Sequence, residues 1–341
     1  SQDIAKRVDT KNPVQDAILN KSLSSEDLLH MYRRMVLCRT LDERIWMLNR
    51  QGKAAIMASS QGHEAPQLRS VAALQKKYDL FYIYYRDLAV LLDLGLTPTQ
   101  IIKGFLSKHG EPLSCARQFP THGAHPEYGI VNLSNVVATH VPQAVGAALA
   151  AKMNNEDRVV IVYFGDGASS AGDTHEAMNF ASIHKLPVIF FCENNLYGMG
   201  VPVSESLAQK EIYKMADAYD VPSVQIDGMD ILAVHETMQD VVKYVGAGNG
   251  PYFIEAKTYR FRGHSMADAV SYRPKSEEDA WQPRDPLVQY RSWLREQRFA
   301  TEDEIAEMDH TVEIQVEEAI TFAEESPNPS LDAIYQNVYA K

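Results

Sequence analysis

Two short polar motifs have the residue types that metal and phosphate chemistry requires. Asp166 lies in a Gly-Asp-Gly turn, and Asn195 ends an Asn-Asn pair that follows the next apolar run along the chain. Carboxylate and amide oxygens are hard ligands of the kind that Mg²⁺ prefers, alongside phosphate oxygens. Gly165 and Gly167 leave room for a diphosphate near the backbone, and the helix expected after the turn would offer free N–H groups. The pattern therefore predicts a site for Mg²⁺ and a diphosphate.

A βαβ unit is the element that must position these motifs. Residues 159–164 and 188–192 are short apolar runs rich in β-branched and aromatic side chains, which is typical of strands buried on both faces. Between them, apolar residues recur at helical spacing until Pro187 ends the pattern. Ligands bind at the carboxyl ends of strands in open parallel sheets, so both motifs are expected at one sheet edge. Either motif alone would also suit an ordinary turn.

Together, the two motifs resemble the thiamine diphosphate signature, with a loop, a helix and a strand between them. More closely, GDGASSAGDTHEAMNFA and CENNLYGMG are similar to the alpha subunit of the decarboxylase component of 2-oxo acid dehydrogenase complexes, the branched-chain and pyruvate family. The resemblance runs from about Met35 to the C-terminus, through segments such as LDERIWMLNRQGK, VVATHVPQAVGAA and TYRFRGHSMAD. It implies an α/β fold with a doubly wound, mostly parallel sheet of the diphosphate-binding type and helical extensions.

This resemblance assigns site residues. The expected cofactor contacts are Tyr85, Arg86, Val137, Asp166, Gly167, Ala168, Asn195, Tyr197 and His264. The expected ligands of Mg²⁺ are Asp166, Asn195 and the backbone carbonyl near Tyr197. His264 is the one catalytic residue expected in this chain, because its counterparts lie at the reactive end of the cofactor and take part in acyl transfer. On the residue pattern alone, Val137 would be a packed loop valine and His264 a solvated bystander.

Five more positions match functional stretches of the family. Ser134, Thr139 and His140 match a stretch that binds a structural potassium ion in branched-chain members, although His140 replaces the usual glutamine. Ser265 and Ser271 coincide with serines that animal relatives phosphorylate, and a phosphate there would add about −1.5 to −2 charge beside the site.

Three other histidines, His63, His122 and His125, have no firm role. In the related pyruvate subunits an active-site histidine falls where Ala58 stands in this chain. That role is therefore expected to be absent or moved.

Composition excludes several classes of protein. A chain of 341 residues with 45% hydrophobic residues can bury a full α/β core, and a net charge of −12 argues against nucleic acid or an anionic membrane as a partner. Cys38, Cys115 and Cys192 show no metal-binding spacing and are typical of reduced thiols. With neither a signal-peptide pattern nor a membrane-spanning run, the sequence predicts a soluble, cytoplasmic protein.

Three segments are expected along the chain: an N-terminal arm over residues 1–24, the cofactor-binding α/β domain over 25–285, and a helical tail over 286–341. Ser25 should cap an amphipathic helix. Residues 81–85 should form a strand, and residues 106–128, which lack periodicity, should form a long functional loop.

The chain is expected to hold half of an active site. The glutamate that contacts the cofactor's pyrimidine belongs to a separate domain in this superfamily, and single-chain relatives that carry both domains are much longer. We therefore expect a beta subunit that supplies the glutamate in an α2β2 heterotetramer. The reaction implied is oxidative decarboxylation of a 2-oxo acid, with acyl transfer to the lipoyl group of the acyltransferase component. The motifs slightly favour branched-chain substrates such as 2-oxoisovalerate over pyruvate, and acetoin dehydrogenase is a third relative.

Two rival interpretations come from other classes. A nicotinamide-dependent dehydrogenase could use the same kind of sheet, but GDGASSAG does not match the GxGxxG fingerprint of that class. A non-catalytic cofactor-binding subunit could retain the fold. Retention of Asp166, Asn195, Tyr85, Arg86 and His264 together argues against the second alternative.

Overall fold

A six-stranded parallel sheet organises the molecule, in the strand order β2-β1-β3-β4-β8-β7. The computed structural model describes residues 23–131, 136–336 and 338. The sheet strands are β1 Leu80–Tyr82, β2 Ile130–Val131, β3 Val160–Gly165, β4 Val188–Asn194, β7 Ser223–Asp227 and β8 Tyr252–Lys257. A separate antiparallel pair consists of β5 Tyr197–Gly198 and β6 Val201–Pro202. The expected doubly wound parallel sheet is confirmed.

Twelve α-helices lie in the described part of the chain. They are α1 Ser25–Arg50, α2 Glu64–Ala72, α3 Leu88–Leu94, α4 Pro98–Phe105, α5 His140–Met153, α6 Asp166–Ser169, α7 Gly172–Ile183, α8 Val203–Ser206, α9 Ile231–Gly246, α10 Lys275–Trp281, α11 Pro286–Glu296 and α12 Glu302–Glu325. Short 3₁₀ segments occupy Pro126–Tyr128, Ile212–Tyr219, Gln282–Arg284 and Leu331–Tyr335. None of these described helices combines the length and apolar character needed to span a bilayer.

Helices cover both faces of the sheet because its strands alternate between two hydrophobic cores. Ile161 and Ile189 point into a large core shared with α1, α2, α9 and α12. Val162 and Phe190 point into a second core shared with α5 and α7. Successive side chains of a strand point to opposite faces, so the continuous apolar runs of β3 and β4 fill both cores.

The register of the two central strands brings the polar motifs together. Gly165, the last residue of β3, pairs with Glu193 near the end of β4. The next residues on each strand are therefore neighbours at the carboxyl edge, where Asp166 begins α6 and Asn195 follows β4. The sheet thus delivers two oxygen-bearing side chains to one place.

Three local expectations were wrong in detail. The cap of α1 is Ser24, one residue before the expected Ser25, and it forms a capping box with Asp27. Strand β1 ends at Tyr82, because the Asp87 carboxylate accepts the backbone N–H of Tyr84 at 2.7 Å and turns the chain out of the sheet. The single helix expected after the Gly-Asp-Gly turn is divided into the four-residue α6 and the longer α7.

Residues 106–128 form the expected long loop, with only a 3₁₀ turn at its end. The buried Glu111 carboxylate holds it by accepting the backbone N–H groups of Leu113, Ser114 and Ala116 at 2.7–2.9 Å. Helix α12 packs with α1 in the large core, and the domain boundaries expected along the chain remain a prediction.

Candidate cofactor site

Asp166 is a buried carboxylate with one unpaired oxygen. Its side chain is 2% exposed, Oδ1 accepts the backbone N–H of Asn195 at 3.3 Å, and Oδ2 has no hydrogen-bond partner among the described residues. Burial raises the pKa of Asp166 to about 6, although the N–H of Asn195 and the charges of Arg260 and Arg86 oppose that rise. A cation beside Oδ2 would stabilise the charged form.

Asn195 presents a second unpaired oxygen. Its Nδ2 lies 3.2 Å from Nε2 of His63, whereas its Oδ1 is buried without a hydrogen-bond partner in the described chain. Buried polar atoms are nearly always paired, so two such oxygens at one edge of the sheet are suited to binding a ligand. A carboxylate and an amide oxygen fit a hard cation such as Mg²⁺.

Tyr197 contributes through its backbone to the same edge of the sheet. Its carbonyl accepts Nη1 of Arg260 at 3.3 Å, and its hydroxyl donates to Glu277 at 2.7 Å. Burial and Glu277 raise the pKa of Tyr197 to about 12, so the phenol stays neutral. No group of three or more His, Cys, Asp or Glu side chains with metal-binding geometry occurs within residues 23–131 and 136–336. Any cation here would rely on amide and carbonyl oxygens as well as Asp166.

Glycine at position 167 allows two loops to approach each other closely. A Cβ added to Gly167 would lie 3.2 Å from the Cα of Gly198, a tighter contact than side chains normally make. Ala168, the next residue, is buried in the core shared with α5 and α7. The Gly-Asp-Gly turn and the turn after Asn195 are therefore packed against each other.

Arg86 is a buried cation that forms no ion pair with any described carboxylate. Its side chain is 1% exposed, Nη1 donates to the Ser59 carbonyl at 2.7 Å, and Nη2 donates to the His264 carbonyl at 3.3 Å. The guanidinium also lies over the ring of Tyr85, 5.5 Å from its centroid. The charges of Asp166, Asp87 and Glu193 offset part of the cost of burying this guanidinium. A buried guanidinium without an ion pair is still suited to an anionic ligand.

Arg260 is a second buried guanidinium, and no pattern in the sequence indicates it. It is also 1% exposed, and Nη2 donates to the Met199 carbonyl at 2.8 Å and to the Tyr272 hydroxyl at 2.7 Å. Burial lowers the pKa of Arg260, and the nearby charge of Arg86 lowers it further. Tyr272 and Asp166 oppose this lowering of the Arg260 pKa, and an anionic ligand beside the two guanidiniums would oppose it further.

His264 lies beside these groups. Its backbone N–H donates to Asp268 at 2.6 Å, its Nδ1 lies 3.5 Å from Nη2 of Arg86, and its ring meets Tyr85 edge-on at 5.8 Å. Burial, followed by the charges of Arg86 and Arg260, lowers the pKa of His264 to about 4. The imidazole is therefore neutral near pH 7.

A cavity of about 210 Å³ opens next to His264 and Tyr85. Its other lining residues are mostly apolar: Ile56, Met57, Ala58, Phe105, Phe119, Pro120, Thr121, His122 and Ser265. The three histidines without a firm role lie in different surroundings. His122 lines the cavity with Ala58, His63 contacts Asn195, and His125 stacks on Tyr128 outside the lining.

The other expected positions are less closely tied to the site. Val137 is 56% exposed and does not line the cavity. Ser134 lies outside the described residues. The Thr139 hydroxyl donates to the Val136 carbonyl. His140 is buried, and its Nε2 lies 2.7 Å from the Tyr163 carbonyl. Ser271 is exposed, whereas Ser265 lines the cavity.

Fold and site together define a doubly wound α/β protein with buried polar and charged side chains gathered at the carboxyl edge of its sheet. The family model described as "Dehydrogenase E1 component" matches residues 32–332. The chain therefore belongs to the dehydrogenase E1 component family. Membership implies thiamine diphosphate as the cofactor, a beta subunit as a partner and a complex with an acyltransferase.

Several named relatives are similar over nearly the whole chain. The 2-oxoisovalerate dehydrogenase subunit alpha of Bacillus subtilis is 38% identical over 320 residues, which cover 94% of this chain and 97% of the relative. The human mitochondrial 2-oxoisovalerate dehydrogenase subunit alpha is 35% identical and covers 96% of this chain and 73% of the relative. The pyruvate dehydrogenase E1 component subunit alpha of Staphylococcus aureus is 34% identical, with 97% and 87% covered.

Proposed function

We propose that this chain is the alpha subunit of a thiamine diphosphate- and Mg²⁺-dependent enzyme that oxidatively decarboxylates branched-chain 2-oxo acids. One edge of the sheet has two unpaired buried oxygens and two buried guanidiniums that form no ion pair with a carboxylate among the described residues. A cation would satisfy the oxygens, and a diphosphate would satisfy the guanidiniums.

The metal would be held by Oδ2 of Asp166, Oδ1 of Asn195 and the carbonyl of Tyr197. Mg²⁺ usually keeps water and phosphate oxygens among its ligands, so three protein oxygens leave room for a diphosphate. Gly167 and Ala168 belong to the turn that would face it. Arg86 and Arg260 would bind the remaining phosphate charge.

Bound thiamine diphosphate supplies the electron sink for loss of CO2 from a 2-oxo acid. The lipoyl disulfide of the acyltransferase component is the oxidant: its S–S bond breaks, one sulfur bonds the acyl group, and the other takes a proton. His264 would relay that proton: its neutral imidazole lies on the cavity wall, can accept the proton released as the acyl group forms, and can then donate it to the sulfur. The backbone N–H of His264 donates to Asp268, and its Nδ1 lies beside Arg86. Tyr85 forms the adjoining wall and supports the ring of His264.

A branched alkyl side chain suits the cavity beside His264. Its walls include Ile56, Met57, Ala58 and Phe105, which offer apolar contact and exclude water from the reaction. The relatives named for 2-oxoisovalerate or 3-methyl-2-oxobutanoate agree with this substrate class. Pyruvate is the second candidate, because the pyruvate dehydrogenase relative from Staphylococcus aureus covers nearly the same length.

The beta subunit would complete the site and supply the glutamate for the pyrimidine ring, in an α2β2 assembly. Large apolar side chains are exposed near the cofactor loops, among them Val137, Met199 and Val201. Such side chains beside a functional edge are typical of a surface that a partner covers. Val137 would meet the cofactor or the partner there.

The test is decarboxylation by this chain assembled with its beta subunit, with and without thiamine diphosphate and Mg²⁺. An artificial electron acceptor reports the decarboxylation step, and lipoyl domain reports acyl transfer. We expect activity that requires both cofactors and a kcat/KM for 2-oxoisovalerate at least tenfold above that for pyruvate. The reverse ratio would favour the pyruvate assignment, and no activity from an assembled complex would leave only a cofactor-binding subunit.

A further inference from the structure

We propose that His63 is a positioning residue that orients the Asn195 amide so that its oxygen, and not its nitrogen, faces the metal. The inference deepens the proposed function and rests on the Mg²⁺ site proposed there. His63 lies outside the Gly-Asp-Gly and Asn-Asn motifs. It is on the loop before α2, far from Asn195 in the sequence.

The contact between His63 and Asn195 is fully enclosed. The His63 side chain is 0% exposed, Asn195 is 4% exposed, and Nε2 of His63 lies 3.2 Å from Nδ2 of Asn195. The histidine is itself fixed by its loop, since its backbone N–H donates to the Ser60 carbonyl at 2.8 Å and the Gly62 N–H donates to Glu64 at 2.8 Å. The ring is therefore a rigid neighbour of the amide.

An asparagine amide has two ends of nearly equal size but opposite character. Only Oδ1 can ligate a hard cation, whereas Nδ2 carries two hydrogens and would point them at it. Buried at this edge, Asn195 has no bulk water to stabilise either orientation. A neighbour that accepts a hydrogen bond from Nδ2 removes the ambiguity, because turning the amide over would break that bond.

His63 is this acceptor. Nδ2 is always a donor, and two donors cannot share a hydrogen bond, so Nε2 must present its lone pair and the ring hydrogen must be on Nδ1. Nδ1 has no hydrogen-bond partner among the described residues. Backbone groups of Ser60 and Gln61 also interact with the ring, and the contact with Asn195 requires the tautomer in which Nε2 is the acceptor. With Nδ2 held by His63, the unpaired Oδ1 is left for the cation.

The experiment measures Mg²⁺ affinity in the assembled alpha–beta complex by calorimetry at saturating thiamine diphosphate. His63→Leu removes the acceptor, and His63→Gln restores one through Oε1. Outer-shell substitutions typically weaken metal binding by about 10- to 100-fold. We expect that loss in His63→Leu and a change below about threefold in His63→Gln, with equal melting temperatures of the two metal-free complexes. His235→Leu removes another buried histidine and should leave Mg²⁺ affinity unchanged.

A double-mutant cycle isolates the orientation effect. An aspartate at position 195 can ligate the cation with either of its two carboxylate oxygens, so its orientation does not matter. His63→Leu should therefore not weaken Mg²⁺ binding further in the Asn195→Asp background. If His63→Leu does not assemble, His63→Met, which fills similar space without a strong acceptor, replaces it.

Three results would overturn the inference. The first is wild-type Mg²⁺ affinity in His63→Leu, and the second is an equal loss of Mg²⁺ affinity in His63→Leu and His63→Gln. The third is a loss caused by His63→Leu that is as large in the Asn195→Asp background as in the wild type. Asp166→Ala distinguishes failure of the proposed metal site from failure of the role proposed for His63. If it leaves Mg²⁺ affinity intact, the metal site itself is wrong. If it abolishes binding while His63→Leu does not, only the role of His63 fails.

Discussion

Asp166 shows how a single buried residue can be costly to the protein until a ligand arrives. Its carboxylate is almost inaccessible, one oxygen is unpaired within the described structure, and burial raises its pKa to about 6. Arg86 and Arg260 present the opposite problem as buried cations without carboxylate partners. The charges of Arg86 and Arg260 already stabilise the ionised form of Asp166, and a cation beside Asp166 together with an anion beside the arginines would reduce the remaining cost of burial.

Replacing Asp166 by Ala should weaken Mg²⁺-dependent binding of thiamine diphosphate to the assembled enzyme by on the order of 100-fold or more, since a direct ligand matters at least as much as an outer-shell group. Calorimetric titration of the cofactor at fixed Mg²⁺ measures this. Asp173→Ala, which removes a nearby carboxylate on α7, is the matched control and should bind normally. Unchanged affinity in Asp166→Ala would remove the metal assignment.

Replacing His264 by Ala should leave the fold intact but slow reductive acylation of lipoyl domain by about 10²-fold, the usual contribution of a proton-transferring group. Decarboxylation with an artificial acceptor should fall much less, because that assay bypasses acyl transfer. His125→Ala is the control, since His125 stacks on Tyr128 outside the cavity lining. Normal turnover with lipoyl domain would make His264 a bystander.

Asp166 and Asn195 could be predicted because each lies in a short motif whose chemistry is local. Arg260 and His63 could not be predicted from the pattern. Arg260 follows β8 and His63 precedes α2, so neither has a neighbour in sequence that signals a ligand. Only the strand order, which places β8 beside β4, brings Arg260 to the carbonyls of Tyr197 and Met199.

At the scale of the secondary-structure elements, side-chain hydrogen bonds to the backbone explain why the observed strand ends differ from those that the sequence pattern predicts. The apolar run 81–85 predicts a strand, yet the Asp87 carboxylate accepts a hydrogen bond from the backbone N–H of Tyr84, and β1 ends at Tyr82. This leaves Tyr85 and Arg86 outside the sheet, where they can reach the site. In the long loop 106–128, Glu111 has the corresponding role and accepts three backbone N–H groups.

Replacing Glu111 by Gln should loosen the loop that carries Phe119 and His122 to the cavity. The amide offers one acceptor oxygen and places N–H groups against backbone donors, so buried hydrogen bonds are lost at about 1–3 kcal/mol in total. We expect faster hydrogen exchange over residues 111–122 and a KM for the 2-oxo acid raised by about tenfold. Glu127→Gln, at an exposed position, should change neither, and unaltered exchange in Glu111→Gln would contradict the role of that carboxylate.

The packing of α9 against α2 predicts a pH effect. Burial, followed by the charge of Arg69, lowers the pKa of His235 to about 4 from an ordinary value of 6.5. The unfolded chain therefore binds a proton first as pH falls, and stability is lost between pH 6.5 and 4. His235→Leu should make the melting temperature depend less steeply on pH between pH 6.5 and 4. The change in slope should correspond to up to one fewer proton taken up on unfolding. An unchanged slope would show that His235 does not titrate differently on unfolding.

At the scale of the whole molecule, the sheet gathers buried polar side chains at its carboxyl edge, and apolar side chains are exposed nearby. Met199 is 65% exposed and Val201 is 49% exposed, and both lie just beyond the turn that contains Asn195. The carbonyl of Met199 accepts a hydrogen bond from Arg260, so this surface is connected directly to the proposed cofactor site. A partner that covers it would also enclose the cofactor.

Replacing Val201 by Asp should therefore weaken assembly with the beta subunit by at least about tenfold, because a charge would be buried against an apolar partner surface. Analytical ultracentrifugation of mixed subunits measures the assembly, and circular dichroism checks that the chain is folded. Val288→Asp is the matched control: Val288 is similarly exposed, at 51%, but lies on α11. The proposed role of the partner is to complete the cofactor site, so cofactor-dependent decarboxylation should fall in proportion to the fraction of complex lost. Wild-type assembly by Val201→Asp would place the beta subunit on another face and leave these apolar side chains without an assigned partner.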